Sequence, residues 1–97
     1  MKTTWLSVAA MALLAQLAPA IAAAAPPGAT SCSGCHAANA GVASPIPRLV
    51  GRNADEIASA MTAFRSGKQS ATVMDRIARG FSDDEIRAIA AWYGAQR

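Results

Sequence analysis

Cys32-Ser33-Gly34-Cys35-His36 is the stretch on which the reading of this chain turns. It has the C-x-x-C-H form, the signature for covalent attachment of a c-type haem. It holds both cysteines of the chain and its one histidine. Two thiols at this spacing on one helical turn can each add to a haem vinyl group as a thioether. The following imidazole is then presented to the iron as the proximal ligand. Other uses of the same residues fit less well. A structural zinc site takes four ligands, whereas Cys32, Cys35 and His36 make three, with no second cluster in the sequence. A dithiol oxidoreductase of the C-x-x-C kind belongs in a βαβ setting, and no strand pattern is present.

Working outward toward the N-terminus, Lys2 precedes an uncharged apolar run from Trp5 to Leu17. Small residues from Ala18 to Ala25 then offer cleavage sites of the A-x-A kind. Residues 1–22 are therefore expected to be a secretory signal peptide, cleaved near 22–24. Cleavage after Ala25 is disfavoured because Pro26 follows. A retained anchor is the competing reading, but the apolar run is short for a bilayer span and meets Pro19. Residues 23–97 are then expected to form one small domain, with no stable membrane insertion after cleavage. Removing 22 residues from 97 leaves 75. A chain of that size seldom stabilises itself by apolar burial alone, so a covalently fixed haem would be both staple and core.

The formal net charge of +3 falls to +2 without Lys2, and haem propionates would bring it close to zero. Arg48, Arg52, Arg65, Lys68, Arg76 and Arg79 are dispersed and not interleaved with aromatics, so no nucleic-acid partner is expected. They form either a solvated surface or a basic rim that attracts an acidic partner.

The chain reads as all-α. Thr30 or Ser31 is the expected cap of a short helix carrying the C-x-x-C-H run, and Gly41 to Gly51 is loop. Asn53 with Glu56 forms a capping-box pattern. Ile57, Ala60, Met61 and Phe64 follow at helical spacing, and Gly67 closes that helix. Ser70 to Gly80 is a connector with one or two helical turns. Ser82 with Glu85 opens the last helix, whose apolar stripe is Ile86, Ile89, Ala90 and Tyr93, with Trp92 beside it.

From about Ser31 to Arg97 the chain resembles the class I c-type cytochromes. Three features carry the resemblance in order: Cys32-Ser33-Gly34-Cys35-His36; Pro47-Arg48-Leu49-Val50-Gly51, similar to a P-x-L-x-G loop; and Met74 followed by Gly80-Phe81-Ser82-Asp83-Asp84-Glu85-Ile86, similar to a methionine ligand preceding an L-S-D-E-E-I helix start. The resemblance implies a small class I cytochrome c fold, with about three main helices wrapped around one covalently attached haem c. It implies axial ligation by His36 and Met74, with the Pro47 carbonyl receiving a hydrogen bond from His36. Core packing is the plainer alternative for Met74, as it is for Met61 on its helix face. Met1 and Met11 fall in the leader. Leu49, Phe64, Ile77, Phe81, Ile86, Ile89 and Trp92 are candidates to wall in the porphyrin.

A narrower resemblance lies in Ser44-Pro45-Ile46-Pro47 and in the segment from Ala71 to Ser82. Both are similar to the cytochrome subunits of flavocytochrome c sulfide dehydrogenases. It implies a periplasmic electron-transfer protein accepting electrons from a flavoprotein dehydrogenase subunit. The alternative is a free soluble carrier serving another redox protein. With no distal histidine and no Ser/His/Asp or Cys/His catalytic arrangement, the chain itself is not expected to be an enzyme. A haem enzyme or gas sensor would need an open iron position, and a non-haem C-x-x-C protein would lack visible absorption.

Overall fold

A computed structural model describes residues 24–97, so the expected signal peptide lies outside the described residues. Four helices follow one another: α1 (Ala29–Cys32), α2 (Ala54–Ser66), α3 (Met74–Ala78) and α4 (Asp83–Ala95). Among the described residues there is no strand, and no helix is long and apolar enough to cross a membrane. The three expected main helices correspond to α1, α2 and α4. The connector contributes α3.

Each helix boundary has a local cause. Asn53 caps α2 by accepting from the amides of Asp55 and Glu56. The return half of the expected capping box, from Asn53 N to the Glu56 carboxylate, is not formed there. Gly67, with φ 79°, ends α2. At α4 the box is complete: Ser82 Oγ accepts from Glu85 N, and the Glu85 carboxylate accepts from Ser82 N, both at 3.2 Å. The expected cap of α1 is corrected. Neither Thr30 nor Ser31 caps it; Gly28 does, in the left-handed region at φ 85°. A Cβ on Gly28 would lie 2.7 Å from Phe81 Cε1, so both its backbone and its neighbour demand glycine. The helix is also shorter than the attachment motif. It stops at Cys32, and Ser33 to Cys35 continue as tight turns, with His36 N bonded to Cys32 O at 2.9 Å.

Two clamps hold the long helices. At one end, a Cβ on Gly94 would sit 3.0 Å from Arg52 O and 3.2 Å from Ala54 Cβ. Only a hydrogen there lets α4 approach the start of α2 so closely. At the other end, Arg65 near the end of α2 donates to Phe81 O at 3.1 Å and pairs with Asp83 in the first turn of α4. That guanidinium holds the Asp83 carboxyl below its ordinary range, chiefly by hydrogen bonding and then by charge attraction.

The protein's own core is small. Ala29, Ile57, Ile89, Ala90 and Tyr93 form its buried cluster, with Leu49, Val50, Phe81 and Trp92 packed against it. Two of those five are alanines, which contribute little apolar area each. Tyr93 is the largest fully buried side chain, and its hydroxyl donates to Ala29 O, fastening α1 to α4. Gly51 N donates to Tyr93 O at 3.0 Å, which ties the Pro47–Gly51 loop to the same place.

Candidate functional site

The space that the small core leaves open is a cavity of about 650 Å³, within the range of small-molecule and cofactor sites. Cys32, Cys35 and His36 reach it from α1 and the turns after it, and Pro47 and Leu49 from the loop that Gly51 anchors to α4. From α2 come Ile57, Ala60, Met61 and Phe64. These are the residues at i, i+3, i+4 and i+7, so one face of that helix is turned toward the cavity. Met74 and Ile77 reach it from α3, Phe81 from the turn after it, and Ile86 and Ile89 from α4.

All five residues singled out from the sequence, Cys32, Cys35, His36, Pro47 and Met74, therefore line one cavity, although 42 positions separate the first from the last. Six of the seven expected wall residues line it as well. Trp92 does not. Its position on α4 turns it away, and it packs edge-on against Tyr93 with ring centroids 4.8 Å apart. Met61 shares the cavity with Met74, which corrects the expectation that it is simply a core methionine. The helical spacing of Ile57, Ala60, Met61 and Phe64 identified their common face. It carried no information on whether that face met side chains or open space. Arg52 and Gln69 also border the cavity, and single polar residues in loops gave no sequence signal of this.

His36 Nδ1 lies 2.6 Å from Pro47 O. A carbonyl oxygen only accepts, so Nδ1 carries the proton and donates. In the neutral ring this leaves the Nε2 lone pair free, the tautomer that an imidazole ligand needs. Arg48 supports this arrangement: its guanidinium donates to Ala38 O at 2.9 Å, closing the loop that leads from His36 to Pro47.

On the cysteine side, burial pushes the Cys32 thiol up, with the nearby Tyr93 hydroxyl opposing part of that rise. Cys32 Sγ also points toward Gly28 O at 3.7 Å, and Ser33 Oγ lies 3.1 Å from the Tyr93 hydroxyl. The attachment turn is thus held on one side by α4. Cys35 is exposed and Cys32 half-buried.

A c-type haem needs two thiols, a neutral imidazole, a soft sixth donor and an apolar surround. The donor set here is of that chemistry. The wall is dominated by aliphatic and aromatic side chains, and its polar members are confined to exposed positions at the edge. The residues present fit the group.

Comparison with known proteins agrees. A family described as cytochrome c oxidase, cbb3-type, subunit III matches residues 20–92. The cytochrome subunit of sulfide dehydrogenase from Chlorobaculum tepidum is 38% identical over 64 residues, covering 66% of this chain and 58% of that protein. The thiosulfate dehydrogenase electron acceptor of Thiomonas intermedia is 37% identical over 91 residues, 91% of this chain and 42% of the relative. Cytochrome c-554(548) of Halomonas halodenitrificans is 36% identical over 70 residues, 68% of this chain and 84% of the relative. The chain thus spans little more than half of the sulfide dehydrogenase subunit and less than half of the thiosulfate dehydrogenase acceptor. With its single C-x-x-C-H motif, the all-helical architecture of its described residues and these relatives, the chain belongs to the cytochrome c family, as an electron carrier with covalently bound haem c.

Proposed function

We infer that this chain is a periplasmic cytochrome that accepts electrons from a flavoprotein sulfide dehydrogenase subunit, through a haem held by Cys32 and Cys35 and ligated by His36 and Met74. The observation that carries the site assignment is the His36 tautomer, set by Pro47, in a cavity that also holds both cysteines and Met74. Residues 1–22 act as the export signal, and 23–97 as the haem domain.

When bound, haem c supplies reversible one-electron chemistry at its iron. The protein's part is to attach, orient and shield. Cys32 and Cys35 fix the group at one edge. Pro47 O holds the ring of His36 and raises its basicity as a ligand. Met74 offers a neutral, soft sulfur, which favours the ferrous state and so raises the reduction potential. With His36 and Met74 both holding the iron, the chain would offer no position there for a substrate. Ile57, Phe64 and Ile86 keep water from the group, which strengthens every electrostatic effect on it.

The partner assignment is supported by the sulfide dehydrogenase relative and by the surface beside the cavity. The exposed large hydrophobics among the described residues are Val42, Ile46, Val73 and Ile77. Ile46 adjoins Pro47, Val73 adjoins Met74, and Ile77 lines the cavity itself. Arg76 and Arg79 are exposed on and just after the same helix, and neither belongs to an ion pair among the described residues. Exposed apolar residues next to cavity residues, with free cations close by in sequence, suit a redox partner that presents an acidic rim. The second reading, a free soluble carrier, is favoured by the 84% coverage of cytochrome c-554(548).

Two experiments test the proposal. The exported protein should retain its haem through acid-acetone extraction, and Cys32→Ala with Cys35→Ala should lose it; a folded, colourless wild type defeats the site assignment. In stopped-flow mixing with sulfide, addition of the flavoprotein should speed reduction, and charge reversal at Arg76 and Arg79 should slow it in a salt-dependent way. Equal rates with and without the flavoprotein favour the free carrier.

A further inference from the structure

Helix α2 has a second face. At about 100° per residue, Asp55, Ser59, Thr62 and Ser66 lie on the side of the helix opposite Ile57, Met61 and Phe64, and all four are exposed. They line a groove of about 590 Å³ whose other wall is Asp83, Ile86 and Arg87 at the start of α4. Among the described residues, Ile86 alone borders both this groove and the cavity described above. Two hydroxyls along the groove are already satisfied within α2: Thr62 Oγ donates to Ala58 O at 3.0 Å, and Ser66 Oγ to Ala63 O at 3.3 Å. The middle of the groove therefore offers mostly methyl and methylene surface. It has few free polar groups with which to orient a small ligand.

The charges on the rim of the groove fall into two groups. Asp83 is paired with Arg65, and Arg87 with Asp84. Asp55, in the first turn of α2, and Lys68, just past the Gly67 end, are exposed and belong to neither ion pair among the described residues. They have opposite signs and stand toward opposite ends of the groove, seven and six positions on either side of Thr62. Ala58, Ser59 and Ala63, its smallest side chains, lie between them. A two-fold axis requires this arrangement. An isologous contact sets one patch against itself, so an acid at one end must meet a base at the other. We propose that the groove seats α2 of a second copy of this chain, crossing antiparallel near Thr62, with Asp55 of each copy facing Lys68 of the other. Small residues at the crossing let the two helix axes approach closely, and the opposed helix dipoles favour that direction. The 13 residues of α2 span about 20 Å, which puts the contact at the small end of specific interfaces, so the dimer forms and dissociates with concentration. The cavity lies on the other side of α2, and the dimer leaves it uncovered.

Sedimentation velocity of the purified holoprotein over a concentration series tests the proposal. The wild type should pass from monomer to dimer as concentration rises, and added salt should weaken the dimer. D55K and K68E should each raise the dissociation constant at least about tenfold, because each places like charges together at both ends of the contact. An equimolar mixture of the two variants should dimerise nearly as well as wild type, since every introduced charge then faces its opposite again. D55K also removes an acid from the positive end of α2, whereas K68E lies outside the helix and keeps the test independent of any loss of folding. A wild type that stays monomeric at every concentration would overturn the proposal. So would a dimer that K68E leaves intact, or a mixture that associates no better than its components.

Discussion

His36 Nδ1 donates to the carbonyl oxygen of Pro47 across 2.6 Å, and the ring is held by backbone rather than by another side chain. Position 47 therefore contributes a peptide group, which any residue possesses, and a proline ring, which keeps the loop from exploring other conformations. Pro47→Ala keeps the acceptor and releases the constraint. The expected result is an unchanged haem spectrum and a loss of roughly 0.4–1 kcal/mol in stability, from the greater freedom of the unfolded chain. Denaturant titration, with absorption recorded on the same samples, checks both halves.

Two sulfurs share the cavity, and a pair of variants separates their roles. Met74→Ala should abolish the weak long-wavelength sulfur-to-iron band of the ferric protein and lower the potential. Met61→Ala should keep the band. Met61 is only partly buried, so its truncation should cost at most about 2 kcal/mol, the low end for a methionine deletion. Loss of the band in Met61→Ala and its survival in Met74→Ala would reverse the assignment.

Tyr93 joins α4 to the attachment turn through Ala29 O and Ser33. Burial pushes its phenol up, so the hydroxyl stays protonated and able to donate. Tyr93→Phe leaves the ring packing intact and removes the donor from a buried carbonyl. A loss of about 1–3 kcal/mol is expected in thermal or denaturant unfolding. Ser33→Ala, at an exposed position, should cost less than 1 kcal/mol on the same reasoning.

The Arg65–Asp83 pair makes stability depend on pH in the acid range. The folded protein holds Asp83 below its ordinary value of 3.8, so the pair contributes fully above that pH. The contribution fades as pH falls through 3.8 and is lost below the lowered folded-state value. The carboxylate is solvent-facing, so the effect is small and weakens with salt. Asp83→Asn should lower stability at neutral pH and flatten its acid dependence; unfolding midpoints from pH 7 down to about pH 3 would measure this.

Much of this molecule could be read from local order along the chain. Cys32, Cys35 and His36 are close in sequence, so their shared chemistry needs only one turn of backbone. Ser82 with Glu85, and Asn53 ahead of α2, are short-range hydrogen-bond patterns whose partners lie within three residues. The periodic apolar residues of α2 and α4 declared which side of each helix avoids water. Tertiary structure decided what those sides meet. Met61 lines the cavity and Trp92 does not, because helix rotation and crossing are set where Gly94 touches Arg52 and Ala54, contacts between segments some 40 positions apart. The same packing brings Arg52 to the cavity edge. It also replaces the expected cap of α1 with Gly28, where the Phe81 ring leaves room for nothing larger. Periodicity reports that a face is apolar, but the space opposite it exists only once the helices have packed.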